Sequence, residues 1–480
     1  MGKGLFIKKS MRSESQEGEE ESHGFKRHLK AIHLVSIGIG AIIGAGIFVI
    51  TGQAAAEYAG PSIVLSFIIA AFVCALAGLC YAELSSMIPI SGGSYSYVYI
   101  AMGEFPAWIV GWCGTAQYIF SSSAVAVGWS GYFTNLLKDF GIPLSERFTQ
   151  APFLFGETWG FSGAILNLPA MVLVMMVGIL ISVGIKAAAR FNDAMVFIKL
   201  GTVILFIILG IPYIQSDNWI PFIPENTGTF GEFGLSGTFR AAGLLFFAYL
   251  GFDTVATLSQ DAVNPQKDVP KGILGSLFVC TGAYILVSLV LTGVVDYRLL
   301  NVPDPMSVAL NVAAKFVAVK FLVKLAIVAG LASVVLVQLL AQTRIFFAMS
   351  KDGLIPSAFS RVNKVSRMPV FASVITCLIA MTISGLFSVN VLGQLVSMST
   401  LFIFAMVCLG VLLLRYMHPE FKRGFKVPLV PYVPFIGVIA CLGQMLFFPL
   451  ASWIILLSWL TLGLTVYFGY GMRNSKLRKQ

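Results

Sequence analysis

The groups in this chain able to do chemistry sit in apolar surroundings, where each must have a partner. Lys199 lies in FNDAMVFIKLGTVILFIILG, about eight residues into an apolar run. At 1.5 Å per residue that is roughly 12 Å from water, too deep for easy snorkelling unless the side chain runs along the helix. An ionisable group held there is a candidate for reversible protonation. Gly38, Gly40, Gly44 and Gly46, in GIGAIIGAGIF, offer a different chemistry. Gly40 and Gly44 alone would make a small face for helix packing. Four glycines on more than one face let the backbone leave helical dihedrals. The freed N–H and C=O groups are then tolerable in a membrane only if they line a cavity or touch a ligand.

A second interruption occurs in FFAYLGFDT at 246–254, where Gly251 and Asp253 break an apolar stretch. A helix broken in this way exposes N–H groups that suit a carboxylate and C=O groups that suit an ammonium. An α-amino acid zwitterion carries both. A ligand with one charge would leave half of the exposed backbone unpaired, at roughly 1–3 kcal/mol per group.

Other polar residues are isolated in apolar runs. Gln117, in GTAQYIF, and Gln338, in ASVVLVQLLA, either hydrogen-bond between helices or face a ligand. Asp253 is placed to cap freed N–H groups, to pair with a base or to couple an ion. Glu83, preceding SSM and a proline, is expected to be a solvated or interfacial acid.

Composition defines what must hold these residues. The chain has 480 residues, 57% hydrophobic and only 11% charged, with a mean hydropathy of +0.87. It is an all-α integral membrane protein. Twelve spans are predicted, at roughly 33–58, 62–88, 97–133, 164–185, 191–214, 237–260, 271–295, 320–348, 369–388, 390–415, 430–449 and 451–472. With both termini cytoplasmic, most of the 32 Lys and Arg residues fall on the cytoplasmic side. The net charge of +10 is therefore membrane topology and not nucleic-acid binding.

The two interruptions open successive groups of five spans. Because five is odd, the second group starts from the opposite face, and the pattern predicts an inverted repeat over about 33–214 and 237–415. A peripheral pair at about 430–472 is left over, and the whole of 31–472 forms a single transmembrane domain. Residues 1–30 read as a disordered cytoplasmic tail without a signal peptide, and 473–480 as a second cytoplasmic tail. The seven cysteines (Cys74, Cys80, Cys113, Cys280, Cys377, Cys408 and Cys441) lie in apolar segments and read as packing residues.

Six stretches, in order and spacing, resemble the amino acid, polyamine and organocation (APC) transporters, and within them bacterial relatives of the cationic amino acid transporters. They are GIGAIIGAGIF, SGGSYSYVY at 91–99, WSGYF at 129–133, FFAYLGFDTVAT at 246–257, NPQKDVPKGI at 264–273 and QTRIFFAMSKDGLIP at 342–356. The resemblance covers residues 25–470 and implies a LeuT-like five-plus-five fold with discontinuous spans 1 and 6. It also implies alternating access and an amino acid held between the breaks in an inner cell membrane. The carboxylate would meet the amides of Gly44, Ala45 and Gly46, and the amino group the carbonyls of Ile42, Phe247, Ala248 and Leu250. Relatives often carry threonine at Ala45, so a hydroxyl contact is missing here. Gln117 and Gln338 would stand near the substrate side chain, where two amides favour a polar or long group. Lys199 would hold spans 1 and 5 together and release them on losing its proton, so the coupling ion is expected to be H+ with no cofactor or metal. Relatives show two glutamates where this chain has Gln260 and Asp261.

Other readings stay open. His23, His28, His33 and His418 form no HExxH, and neither GxSxG nor a Walker A stretch occurs, so an enzyme is not expected. A sodium-driven or exchange-type carrier, and a sensor that binds without transporting, share the same pattern. The amino acid carried, the oligomeric state and the need for an accessory subunit are not encoded legibly.

Overall fold

The computed structural model describes residues 6–9, 29–88, 92–155, 159–183, 185–259, 262–313, 317–363 and 368–479. Gln260 and Asp261 lie outside the described residues, as does most of the N-terminal tail.

The chain is helical almost throughout, because long stretches carry apolar residues on every face with few internal prolines, the signature of helices buried in protein or lipid. Among the described residues seven helices are long and apolar enough to cross a membrane: Gly46–Met87, Ala194–Tyr213, Gly234–Thr257, Pro265–Val294, Val317–Lys351, Val389–Met417 and Leu450–Lys479. Four shorter apolar helices accompany them, at Ala31–Ile42, Leu168–Ser182, Val370–Leu386 and Tyr432–Met445. The Gly46–Met87 run is divided at Gly60, whose φ of 61° only glycine adopts without strain. The span predicted over 97–133 is two helices, Gly93–Met102 and Glu104–Asp139, separated at Gly103 with φ 100°. A short hairpin pairs Phe153–Phe155 with Trp159–Phe161.

Three long helices form the centre: Glu104–Asp139 packs along both Val317–Lys351 and Val389–Met417. Against this core stand the two helices that do not run through. Ala31–Ile42 lies on Pro265–Val294, and Gly234–Leu244 packs on Ile63–Met87. Six of the seven cysteines are buried and Cys377 is half-buried, all as free thiols in the apolar interior.

Both ends of the chain meet on one face. The Glu104 amide donates to Ile7 O at 2.9 Å, and Lys9 Nζ lies 2.6 Å from Asp352. From the C-terminus, Arg478 reaches the buried Glu104 at 2.6 Å and the Lys476 amide donates to Asp352 O at 3.0 Å. Residues 6–9, predicted from composition to be disordered, are thus tied down. Two interior acids supply anchors that a count of local charge does not reveal.

Candidate functional site

The first break is built by glycine where the sequence suggested. The Ala31–Ile42 helix ends as Ile43 turns extended, with φ −70° and ψ 103°, and the chain winds again as a wide π turn over Gly46–Ile50. The second break follows Phe246–Tyr249: Leu250 is extended at ψ 128° and Gly251 has φ 127° before Phe252–Thr257 resumes. The two breaks touch. A Cβ on Gly46 would strike Ala248 Cα, and one on Gly251 would lie 2.7 Å from the carbonyl carbon of Ala41. Backbone thus meets backbone at the crossing, which any side chain would prise apart.

Between the breaks lies a narrow, nearly closed cavity of about 10 Å³, room for a single water. Ile42, Gly44, Ala45, Gly46, Phe247 and Leu250 line it from the breaks. Ser121 and Val125 close it from Glu104–Asp139, and Val334 and Gln338 from Val317–Lys351. Among the described residues the amides of Gly44, Ala45 and Gly46 donate no hydrogen bond outside their own helix. The carbonyls are partly engaged. Tyr284 Oη sits 2.8 Å from Ile42 O and 2.7 Å from Ala248 O. Its single proton serves one of them at a time and pins the two breaks together.

The remaining candidates sit around this waist. Ala248 does not line the cavity; its carbonyl faces Tyr284. Gln338 does line it, whereas Gln117 belongs to a neighbouring cavity and donates to Asp253 Oδ2 at 3.4 Å. Asp253 is buried and collects three donors: the Gly251 amide at 3.2 Å, Tyr118 Oη at 3.2 Å and Gln117. It caps the restarted helix while tying the break to the long central helix. Lys199 is 1% exposed, and its ammonium donates to Gly40 O at 2.8 Å, two residues before the first helix ends. Its stem passes over Gly330, where a Cβ would come within 2.8 Å of it. Glu83 is not solvated, as its neighbours in sequence suggested. It is 1% exposed and takes Arg415 at 2.6 Å, Arg423 at 3.2 Å and the Val427 amide at 2.7 Å. The chain after Met417 folds back over it and excludes water.

Sequence reasoning missed three residues here. Ser121, in a run of three serines, is buried with no hydrogen-bond partner for its hydroxyl and lines the waist. Tyr284 gave only the weak signal of a lone tyrosine in an apolar run. Ser397 accepts from the Phe247 amide at 3.1 Å and donates to Leu244 O at 2.8 Å, fixing the second broken helix to Val389–Met417.

Two larger cavities flank the waist. One, of about 310 Å³, is lined by Tyr95, Gln117, Tyr118, Asn192, Asp253 and Arg344. It lies toward the face where the termini meet, since Tyr95 Oη donates to Asp352, the partner of Lys9. The other, about 440 Å³, is lined by Gln53, Glu57, Asn167, Asn301 and Asn390. It opens at the opposite end of the Val389–Met417 helix, whose Met417 Sδ lies 3.5 Å from Lys8 on the terminal face. The waist of backbone groups thus lies between two opposed vestibules.

A family profile described as amino acid permease matches residues 29–466. The chain is 43% identical over 475 residues to the methylthioribose transporter of Bacillus subtilis (strain 168), covering 99% of each chain. It is 39% identical over 478 residues to the branched-chain amino acid permease BcaP of the same organism, again covering 99% of each. The vacuolar cationic amino acid transporter 2 of Arabidopsis thaliana is 38% identical over 411 residues, 85% of this chain and 62% of that protein.

Proposed function

Because the chain belongs to the amino acid permease family of the APC superfamily, we propose that it is a secondary active transporter carrying an L-amino acid by alternating access, coupled to protons. The observation that supports this most directly is the contact of two broken helices around one cavity, with available amides on the first break and carbonyls on both. An inverted five-plus-five repeat of twelve spans accounts for two breaks meeting at mid-membrane. The excess of Lys and Arg on the terminal face supports a reading with both termini in the cytoplasm of a cell-membrane protein, in which the cavity beside Tyr95 opens inward and the one beside Glu57 outward.

No ionisable side chain lines the waist among the described residues. Its wall is Val125, Val334 and Phe247 with Ser121 and Gln338, which suits a neutral side chain better than a cationic one, and a relative named as a branched-chain amino acid permease supports the same choice. Proton coupling rests on Lys199. Its ammonium secures Gly40 O, and loss of the proton weakens that bond and frees the first half-helix to swing.

One observation favours a second reading. Tyr284 already engages the carbonyls of Ile42 and Ala248, and a methylthioribose transporter is among the most similar relatives. An uncharged thioether sugar would use hydroxyls, not an ammonium, on the remaining backbone groups. Uptake into proteoliposomes decides between them. With an inward pH gradient, a radiolabelled branched-chain amino acid should accumulate and excess methylthioribose should not compete. Accumulation of methylthioribose alone would establish the second reading. Dependence on sodium at fixed pH gradient would refute proton coupling, and binding without uptake would mark a sensor.

A further inference from the structure

On the terminal face the chain linking Val389–Met417 to Tyr432–Met445 folds over a cavity of about 530 Å³, lined by Gln266, Arg415, Glu420, Lys422, Arg423 and Lys426 among others. Its charges do not balance. Arg415 and Arg423 share the single buried carboxylate of Glu83. The other Arg423 nitrogens are spent on the carbonyls of Leu414, His418, Pro419 and Phe421. Glu420 is largely exposed and faces His418 at 3.0 Å. Lys422 and Lys426 are exposed, and neither has a carboxylate within ion-pair distance among the described residues. Four cations against two carboxylates leave a surplus of two positive charges around a concave wall.

The surroundings identify what neutralises it. Tyr416, Met417, Leu429, Tyr432 and Phe435 are all more than half exposed on the elements that bound the cavity. In a chain that crosses the bilayer such residues face lipid, and tyrosines gather at headgroup level. A basic recess opening beside an apolar, tyrosine-edged face matches a molecule with one anionic end and two hydrocarbon tails. A soluble anion would have no use for the apolar side.

We propose that this recess seats the phosphate of an anionic glycerophospholipid, with Lys422 and Lys426 as its principal cations and the acyl chains laid along Tyr432 and Phe435. The bound phosphate supplies the counter-charge that Glu83 alone lacks. It thereby stabilises the clasp joining Ile63–Met87, Val389–Met417 and the loop at Val427.

The test uses the purified full-length protein in an uncharged detergent, titrated with phosphatidylglycerol, with phosphatidylcholine of the same acyl chains, or with inorganic phosphate. Bound lipid is counted by native mass spectrometry and stability read as the thermal midpoint. Phosphatidylglycerol should bind saturably and raise the midpoint; the other two should not. A Lys422→Gln/Lys426→Gln variant, altered only at exposed positions, should fold with an unchanged lipid-free midpoint. It should lose roughly thirtyfold in phosphatidylglycerol affinity, about a factor of five for each lysine. Equal binding by the variant, an equal shift from phosphatidylcholine, or reproduction of the shift by inorganic phosphate would each overturn the proposal.

Discussion

Two lysines in this protein are equally buried and differently partnered. Lys199 and Lys324 are each 1% exposed. Lys199 reaches a backbone carbonyl, Gly40 O, at 2.8 Å and has no carboxylate within ion-pair distance among the described residues. Lys324, on Val317–Lys351, reaches Asn135 and Asp139 near the far end of Glu104–Asp139, both at 2.6 Å. Burial alone therefore assigns neither role. An ammonium facing a carbonyl can lose its proton without stranding an opposite charge. One facing a carboxylate would strand that charge, and the pair is kept together by the cost of separating it. The first arrangement fits a switch and the second a clasp.

The comparison breaks most sharply at Lys199. Lys199→Ala should reduce pH-gradient-driven accumulation to background in proteoliposomes, a loss of well over tenfold. Ligand-induced thermal stabilisation should survive, because the waist residues are untouched. Gradient-driven accumulation at the normal level in that variant would remove the coupling role outright. Lys324→Ala should do the reverse. Uptake should remain proton-driven while the protein loses about 1–2 kcal/mol of stability, read as a lower thermal midpoint. The figure stays below that for a fully buried pair because Asp139 is 48% exposed and regains water once its partner is gone. If Lys324→Ala abolished proton dependence, the division between switch and clasp would fail.

How far these roles were legible follows the same division. The breaks were visible because glycine and a mid-span aspartate are chemically conspicuous in an apolar run, and Gly44, Gly46, Gly251 and Asp253 all stand at them. Lys199 was conspicuous for the same reason, yet its partner was not, since a backbone carbonyl carries no residue identity. Lys324 gave no comparable signal in sequence, because its partner Asp139 is 185 positions away. Glu83 was misread on the same ground: Arg415 lies 332 positions away and converts an interfacial acid into a buried one. Gln117 and Gln338 looked equivalent as lone amides. Helix rotation separates them, turning Gln338 to the waist and Gln117 to Asp253. Single-residue chemistry could be read from sequence; pairings fixed by tertiary contact could not.

The remaining effect concerns the acid that shares Lys324's surroundings. Asp304, outside the spans on the loop before the Pro305–Ala313 helix, is 9% exposed and its Oδ2 has no hydrogen-bond partner. Burial pushes its carboxyl from the ordinary 3.8 up to about 6, opposed by the charge of Lys324 and reinforced by Asp139. A raised folded-state value means that the protonated acid favours the fold. The contribution is fully present below about pH 4 and is lost as pH rises through about 6, at most about 3 kcal/mol in all. Thermal midpoints should therefore fall between pH 4 and pH 6 relative to those of Asp304→Asn, which carries no proton to lose. At pH 7.5 that variant should be the more stable by about 1 kcal/mol, since its amide still meets an unsatisfied site. Combining the wild-type Asp304 with Lys324→Ala should carry the falling window above pH 6, because the opposing cation is gone. Parallel midpoint curves for wild type and Asp304→Asn would detach Asp304 from the clasp and leave Lys324 with Asp139 and Asn135 alone.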